Sequence, residues 1–262
     1  MTSAPQLAAA HPLLLGHRGA LNYAPENTIA AFDLALEHGC HGFEFDVRLT
    51  ADMVAVVCHD PDVHGLTIAA STLEQLRERI RRENLRRKNK DSFSAPLELP
   101  TLNEVLERYA SSAVLDIELK VEGLELLALE ALRTFPLQRT YWVSSFLPGV
   151  LTRMHALDPS VPLGLICRRR GQLAGWRQLP ISVVVLHHGL LSRELVGELH
   201  DEGKQVLVWA INDEASMRSA ADMPVEGILS DDTRLLARVL GKTHQWAQQP
   251  GGTPLAIAEP VT

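Results

Sequence analysis

The sequence has few cysteines, no excess of basic residues and no long apolar run. Its 262 residues include three cysteines, Cys40, Cys58 and Cys167. This odd number without metal-ligand spacing is typical of free thiols, and therefore of a reducing compartment. The net charge of −7 argues against a nucleic-acid-binding protein, because such proteins usually carry a basic surface.

Two classes of targeted protein are also disfavoured. No stretch approaches the roughly 20 consecutive apolar residues of a membrane span. The first fifteen residues, MTSAPQLAAAHPLLL, lack a basic segment and are interrupted by His11 and Pro12, so they do not resemble a secretory signal. We therefore expect a soluble cytoplasmic protein. Contact with a membrane surface and the oligomeric state stay open.

The spacing of apolar segments decides the fold class. A hydrophobic content of 46 % with 22 % charged residues is globular, and the length fits two ordinary domains or one α/β barrel. Strands are predicted at 12–17, 42–59 (a hairpin), 114–119, 140–145, 162–167, 182–188, 205–211 and 226–231. Helices are predicted at 28–38, 102–110, 123–133, 147–156, 172–178 (short), 192–202, 213–221 and 232–240. Eight strand positions alternating with helices predict one α/β domain, a (β/α)₈ barrel, over residues 1–243.

Two segments depart from this alternation. Residues 61–96, which follow the hairpin, are predicted to be an insertion that is partly helical around 72–83. It carries a dense basic run between residues 77 and 90, which is either a solvated face or a surface that attracts an anionic substrate or lipid. Residues 244–262 have little patterned charge and are predicted to be a disordered tail.

The richest polar chemistry lies between residues 13 and 60. Glu44 and Asp46 are two apart, so in a strand both carboxylates leave the same face. If Ala51 and Asp52 formed a two-residue hairpin loop, Glu44 would lie directly opposite His59. Strand ends are where barrel enzymes keep their reactive groups, so we interpret this stretch as the active site.

A third acid comes from the strand at 114–119, where Asp116, Glu118 and Lys120 share a face. Glu118 could complete a three-carboxylate cage with Glu44 and Asp46, which suits Mg²⁺ or Ca²⁺. The alternative is a buried ion-pair cluster of these acids with Lys120 and Arg18.

The other candidates each have a structural alternative. His17 and His59 end apolar runs, as expected of a general acid and base, although a single histidine of this kind is usually a loop residue with satisfied hydrogen bonds. Arg18 suits a phosphate, or it pairs with Glu26 or Glu44. Trp209 could line a pocket mouth or pack in the core. Asn27 is most simply a helix N-cap, and His187-His188 are interpreted as structural.

The residues together resemble the glycerophosphodiester phosphodiesterases. The matching motifs, in family order, are His17-Arg18-Gly19, Pro25-Glu26-Asn27-Thr28, Glu44-Phe45-Asp46-Val47, His59-Asp60, Pro100-Thr101-Leu102, Ile117-Glu118-Leu119-Lys120, Ser145-Phe146 and Val208-Trp209 with Asn212. The sequence departs from the family after His59-Asp60, in the hairpin turn at 50–53, and at Ser230-Asp231-Asp232-Thr233. These departures concern substrate choice more than activity.

The resemblance implies a distorted TIM barrel with an insertion after the hairpin. It implies one divalent cation, Mg²⁺ or Ca²⁺, on Glu44, Asp46 and Glu118. It also implies acid and base roles for His17 and His59, with Arg18 and Lys120 on the phosphate of a small-molecule substrate. The reaction would release sn-glycerol 3-phosphate and an alcohol. The alternatives are a lysophospholipase D or phospholipase C-like enzyme, which would give different products, and a non-catalytic phosphodiester-binding barrel.

Overall fold

Eight parallel strands close into a ring with helices around it in the computed structural model, which describes residues 11–87 and 95–241. The ring runs β1-β2-β6-β7-β8-β9-β10-β11 and closes where β11 pairs with β1. The strands are β1 (Leu13–His17), β2 (Gly42–Leu49), β3 (Ala55–Val57), β4 (Asp62–Val63), β5 (Leu66–Thr67), β6 (Val114–Leu119), β7 (Tyr141–Ser145), β8 (Leu163–Cys167), β9 (Val183–His187), β10 (Gln205–Trp209) and β11 (Gly227–Ser230). The fold is a TIM barrel.

The described helices begin at side-chain caps where the sequence supplies them. They are α1 (Ile29–Glu37), α2 (Leu73–Arg87), α3 (Leu102–Tyr109), α4 (Glu125–Thr134), α5 (Pro148–Leu157), α6 (Arg193–Asp201), α7 (Glu214–Ala221) and α8 (Thr233–Leu240). Thr28 caps α1, and Thr101 with Glu104 forms a capping box on α3. The helix predicted at 172–178 is wrong in type, since two short 3₁₀ turns, Arg170–Leu173 and Trp176–Gln178, occupy this stretch.

Two apolar layers sit on the two faces of the ring. The interior holds a small cluster with contributions from seven of the eight strands: Leu15, Val114, Trp142, Ile166, Val183, Val185, Leu207 and Leu229. A larger cluster lies between the strands and the helices, with Phe32 stacked on Phe43 at 4.2 Å between ring centroids. Gly42 permits the close approach of β2 to β6, because a Cβ there would lie 1.8 Å from the carbonyl oxygen of Val114.

The β2–β3 hairpin forms, but its predicted register is wrong by one residue. Val47 faces Val57, and a three-residue loop replaces the expected two-residue turn. The Thr50 hydroxyl accepts the N–H of Val54 at 2.9 Å, and Met53 takes a left-handed conformation with φ of +60°. A three-residue loop that ends in a left-handed residue is a common hairpin solution. Glu44 therefore does not lie opposite His59.

The insertion packs beside the barrel through its own apolar cluster, to which Val63, Ile68, Leu76 and Ile80 contribute. Its predicted helical part is α2, which is longer than expected. Arginines of the described part pair locally, as in the contacts of Arg81 and Arg82 with Glu78 at 2.7 and 2.8 Å. These contacts fit a solvated face. Part of the basic run and the whole predicted tail lie outside the described residues.

Among residues 11–87 and 95–241, no helix combines the length with the apolar character needed to cross a bilayer.

Candidate active site

Three acidic side chains meet inside the carboxyl end of the barrel. β2 supplies Glu44 and Asp46, and its parallel pairing with β6 places Asp46 beside Glu118. All three residues are buried, and one carboxylate oxygen from each lies within 4.8 Å of the others. The structure thus brings together the three acids that the sequence predicts on one face.

Two cationic side chains reach the same cluster. Lys120 Nζ lies 2.7 Å from Glu118 and 3.1 Å from Asp46, and Arg18 Nε lies 3.5 Å from Asp46. Arg18 also contacts Glu26 at 2.9 Å through its guanidinium, and its backbone N–H donates to Glu44 at 2.9 Å. The predicted ion pair of Arg18 with Glu26 is therefore present, whereas Glu44 accepts the backbone N–H of Arg18 instead of pairing with its guanidinium. The buried ion-pair cluster coexists with the carboxylate cage.

The carboxylates do not share their charge equally. Burial raises the pKa of Glu44 well above its usual value, and the neighbouring Asp46 and Glu118 add to this rise. Burial and Asp46 also raise the pKa of Glu118. Burial alone would raise the pKa of Asp46, but Lys120 and Arg18 outweigh it and hold that pKa below the usual value. The three carboxylates thus outnumber the two cationic side chains, which stabilise the ionised form of Asp46 but not of all three acids.

The residues present fit a hard divalent cation. All donors are carboxylate oxygens, which Mg²⁺ and Ca²⁺ prefer. Oε1 of Glu44 is buried and has no hydrogen-bond partner in the described structure, although buried carboxylate oxygens are normally satisfied. A cation bound here would coordinate Oε1 of Glu44 and neutralise the surplus negative charge of the carboxylates.

The loop after β1 is shaped around these acids. Arg18 and Asn27 both take left-handed backbone conformations, with φ of 56° and 57°. Non-glycine residues rarely adopt this region, and where they do it is often at a functional site. The Asn27 side chain donates to Asp46 at 2.8 Å and accepts the Asp46 N–H. The predicted N-cap role of Asn27 is wrong, since Thr28 caps the helix and Asn27 orients an acid.

His17 is held by a partner that the sequence reasoning missed. Its Nδ1 lies 2.6 Å from Asp231, which follows β11. Asn212 donates to the other oxygen of Asp231 at 2.5 Å, and the Asn212 carbonyl accepts the Asp231 N–H. A carboxylate only accepts hydrogen bonds, so Nδ1 of His17 carries a proton and Nε2 is the nitrogen left for chemistry in the site. The signal in the sequence was an acid at the end of the last predicted strand, 226–231.

Burial would raise the pKa of Asp231, but the hydrogen bonds from His17 and Asn212 hold it below its usual value. Nε2 of His17 lies 4.0 Å from Glu44, so this imidazole spans Asp231 and the carboxylate cluster.

His59 reaches the same pocket from the other side. Its Nδ1 lies 2.8 Å from Asp60, and its side chain is 33 % exposed. Partial burial lowers the pKa of His59, an effect that Asp46 opposes and the nearby charges of Arg18 and Lys120 reinforce. His59 is therefore favoured as neutral imidazole near neutral pH. It enters the site from the loop after β3, which is why it reaches the pocket despite the different hairpin register.

The pocket around these groups has a charged half and an apolar half. The charged half contains His17, Arg18, Glu44, His59, Asp116, Glu118 and Lys120, and the apolar half contains Phe146, Ile166, Val185, Trp209 and Leu229. Trp209 lies against the His17 ring at 5.9 Å between centroids, so it lines the pocket as well as packing. No described residue of the 61–96 insertion is among the lining residues.

Asp116 is a second acid that was not singled out as a site residue. It is fully buried beside Glu44 in the barrel interior, and the hydroxyl of Ser144 donates to it at 2.5 Å. Burial raises the pKa of Asp116 to about 7. Sequence alternation along β6 places it on the site face, but did not indicate how deep it lies.

Comparisons with known proteins agree with this geometry. The sequence profile of the glycerophosphoryl diester phosphodiesterase family matches residues 17–235. The Bacillus subtilis protein YhdW is 32 % identical over 83 % of this chain and 93 % of its own length. A glycerophosphodiester phosphodiesterase of Caldanaerobacter subterraneus is 29 % identical over 88 % of this chain and 98 % of its own.

Solved structures share the fold. A phosphodiesterase of Oleispira antarctica, in complex with the product sn-glycerol 3-phosphate, superposes with a TM-score of 0.74 at 24 % identity and covers 88 % of this chain and 98 % of its own. A glycerophosphodiester phosphodiesterase of Thermotoga maritima gives 0.73 at 23 % identity, with 87 % and 98 % covered. At these identities the likeness concerns the barrel itself.

Proposed function

This chain belongs to the glycerophosphoryl diester phosphodiesterase family, and from that premise we propose that it hydrolyses glycerophosphodiesters to sn-glycerol 3-phosphate and an alcohol. The observation that best supports the proposal is that His17 and His59 lie in one pocket with a buried cluster of three carboxylates. The catalytic domain that we propose spans residues 1–243. The Oleispira antarctica neighbour, with sn-glycerol 3-phosphate bound, supports the identity of the product.

Glu44, Asp46 and Glu118 would hold one divalent cation, Mg²⁺ or Ca²⁺. When bound, the cation supplies positive charge that stabilises the phosphoryl oxygens. Arg18 and Lys120 border the same pocket, where their fixed charges bind and orient the phosphate. Trp209 contributes an apolar wall that excludes water from one ester arm.

The two histidines divide the proton transfers. Each has Nδ1 beside an aspartate, His17 beside Asp231 and His59 beside Asp60, so each presents Nε2 for chemistry. One imidazole, with Nε2 unprotonated, takes the proton of the attacking water or hydroxyl group, and the other, protonated at Nε2, gives that proton to the leaving alkoxide. This division accounts for the need for two histidines around one phosphate.

The direct test is product identity. Purified enzyme with Mg²⁺ or Ca²⁺ should release sn-glycerol 3-phosphate from glycerophosphocholine and glycerophosphoethanolamine, measured by a coupled glycerol-3-phosphate dehydrogenase assay. Lysophosphatidate from lysophosphatidylcholine, or a cyclic phosphate from phosphatidylinositol, with no glycerol 3-phosphate from either diester, would instead favour the lysophospholipase D or phospholipase C-like alternatives.

Asp231 should act as a positioning residue for His17. In Asp231→Asn, Asn212 still donates toward the side chain, because its carbonyl is held by the Asp231 N–H and the Ser230 hydroxyl. The new amide therefore turns its oxygen to Asn212 and its NH₂ to His17, which forces the proton of His17 onto Nε2. We expect kcat to fall roughly 10- to 100-fold with KM little changed.

Nitrogen NMR of the histidine ring distinguishes this role from a structural one, because the favoured tautomer of His17 should switch in Asp231→Asn. Asp201→Asn is the matched control, since Asp201 is exposed and ends α6 at the opposite end of the barrel. An unchanged tautomer and unchanged kcat in Asp231→Asn would contradict the assignment.

A further inference from the structure

We propose that the mouth of the active site carries a subsite for an anionic group on the alcohol arm of the substrate, formed by Arg168 with His187. The inference rests on the proposed function and names the class of diester that this enzyme prefers. It concerns the β8–β9 side of the pocket, which lies across from the carboxylates.

The strand pattern places these residues above the apolar half of the pocket. Ile166 and Val185 line the pocket from β8 and β9, and Arg168 and His187 follow each of them by two residues. Residues two apart in a strand share a face, which places His187 above Val185, and Arg168 is the first residue after β8 at the same edge of the barrel. The His187 ring also packs edge-on against the pocket residue Trp209, at 5.2 Å between centroids. The subsite is thus continuous with the pocket wall.

The two side chains lie close enough for their charges to influence each other. Partial burial lowers the pKa of His187, and the positive charges of His188 and Arg168 lower it further, so the Arg168 guanidinium lies within electrostatic range of the imidazole. The Gly189 N–H donates to Nδ1 of His187 at 3.1 Å, which places the proton of the neutral ring on Nε2. Both side chains therefore offer donors without a bound acceptor.

The charge at this rim has no acidic counterpart. Arg168, Arg169 and Arg170 are consecutive and exposed, and none of them is ion-paired with an acid in the described parts of the chain. Gln172 accepts the backbone N–H groups of Arg168 and Arg169 at 2.9 Å each, so the turn that carries them is fixed. In the insertion, by contrast, Arg81 and Arg82 already share Glu78.

A solvated surface run is the ordinary explanation of consecutive arginines. This run, however, lies at the mouth of the pocket proposed to bind a phosphodiester. It is locally basic although the protein as a whole has a net charge of −7. Unpaired arginine donors bind phosphate and carboxylate groups in a fork geometry.

The anion must belong to the alcohol arm. The phosphodiester occupies the charged half of the pocket, and the glycerol arm is uncharged and common to all glycerophosphodiesters. An alcohol arm that lies against Phe146 and Trp209 would place a group at its far end beside Arg168. Suitable alcohols are those that carry a second phosphate.

The test compares glycerophosphoglycerol with the same diester bearing a phosphate on its terminal hydroxyl. The wild-type enzyme should show the higher kcat/KM on the phosphorylated diester. Arg168→Gln should reduce that preference about 10-fold, and its kcat/KM on glycerophosphoglycerol should stay within about twofold. High salt should also reduce the wild-type preference, because rim charges are screened.

Arg139→Gln is the matched control. Arg139 is also exposed and precedes β7 at the opposite end of the barrel, so its loss should leave the preference intact. Equal turnover of both diesters by wild type, or an equal effect of Arg168→Gln on both, would overturn the subsite and leave the proposed function standing. Failure to release glycerol 3-phosphate from either diester would overturn both.

Discussion

Replacing His17 with alanine should lower kcat for glycerophosphodiester hydrolysis by about 100-fold or more, and His59→Ala should do the same. Each variant removes one of the two groups that move protons at the phosphate. His17 sits 2.6 Å from Asp231 and borders the carboxylate cluster, while His59 reaches the same pocket from the loop after β3. Because both act on one transition state, the double variant should be little slower than the worse single variant.

Steady-state kinetics with glycerophosphocholine measures this effect, and thermal unfolding shows whether the variants stay folded. His155→Ala is the control, since His155 is exposed on α5 away from the pocket. Turnover within a few-fold of wild type in either His17→Ala or His59→Ala would remove that residue from the mechanism.

Removing the cation should be at least as damaging. Chelation should reduce turnover by roughly 1,000-fold, and Mg²⁺ or Ca²⁺ should restore it, because the electrostatic contribution of a bound metal ion amounts to several kcal/mol. Glu44→Gln, which weakens the cage without changing its shape, should lower kcat/KM by a comparable factor and resist rescue at ordinary metal concentrations.

Stability gives a second readout that does not depend on turnover. A cation at about 100 times its Kd should stabilise the wild type by about 2.7 kcal/mol, and Glu44→Gln should lose most of that gain. Without metal, Glu44→Gln should be at least as stable as wild type, because burial and neighbouring acids raise the pKa of Glu44 and disfavour its charge.

Glu130→Gln, an exposed change on α4, controls for loss of one negative charge. If neither Mg²⁺ nor Ca²⁺ changes the unfolding temperature of the wild type, the result would argue for an ion-pair cluster without a cation.

Local patterns predicted the barrel well because each βα unit carries its own signal. The strand at 114–119 has the predicted bounds, since turn signals on both sides of this six-residue, apolar-rich segment define where the strand begins and ends. The stretch at 172–178 forms 3₁₀ turns instead of a helix, because it joins β8 to β9 with too few apolar positions for a packed face.

Contacts between distant segments were harder to foresee. Alternation correctly placed Glu44, Asp46 and Glu118 on the site face, because the face from which a side chain leaves is set by its position within its own strand. The hairpin register depended on whether Met53 would accept a left-handed conformation, which composition does not indicate. The partner of His17, Asp231, is 214 residues away and becomes visible only when the ring closes.

The seam between β1 and β11 also has a consequence for the chain as it is synthesised. Ribosomes add roughly 5–20 residues per second, so about 10–40 s separate the emergence of His17 from that of Asp231. In the last part of that interval the nascent polypeptide holds its acids and both imidazoles but not Asp231, the carboxylate that orients His17. We therefore expect full turnover only after the last strand has been translated and docked, so the onset of turnover would report completion of the barrel.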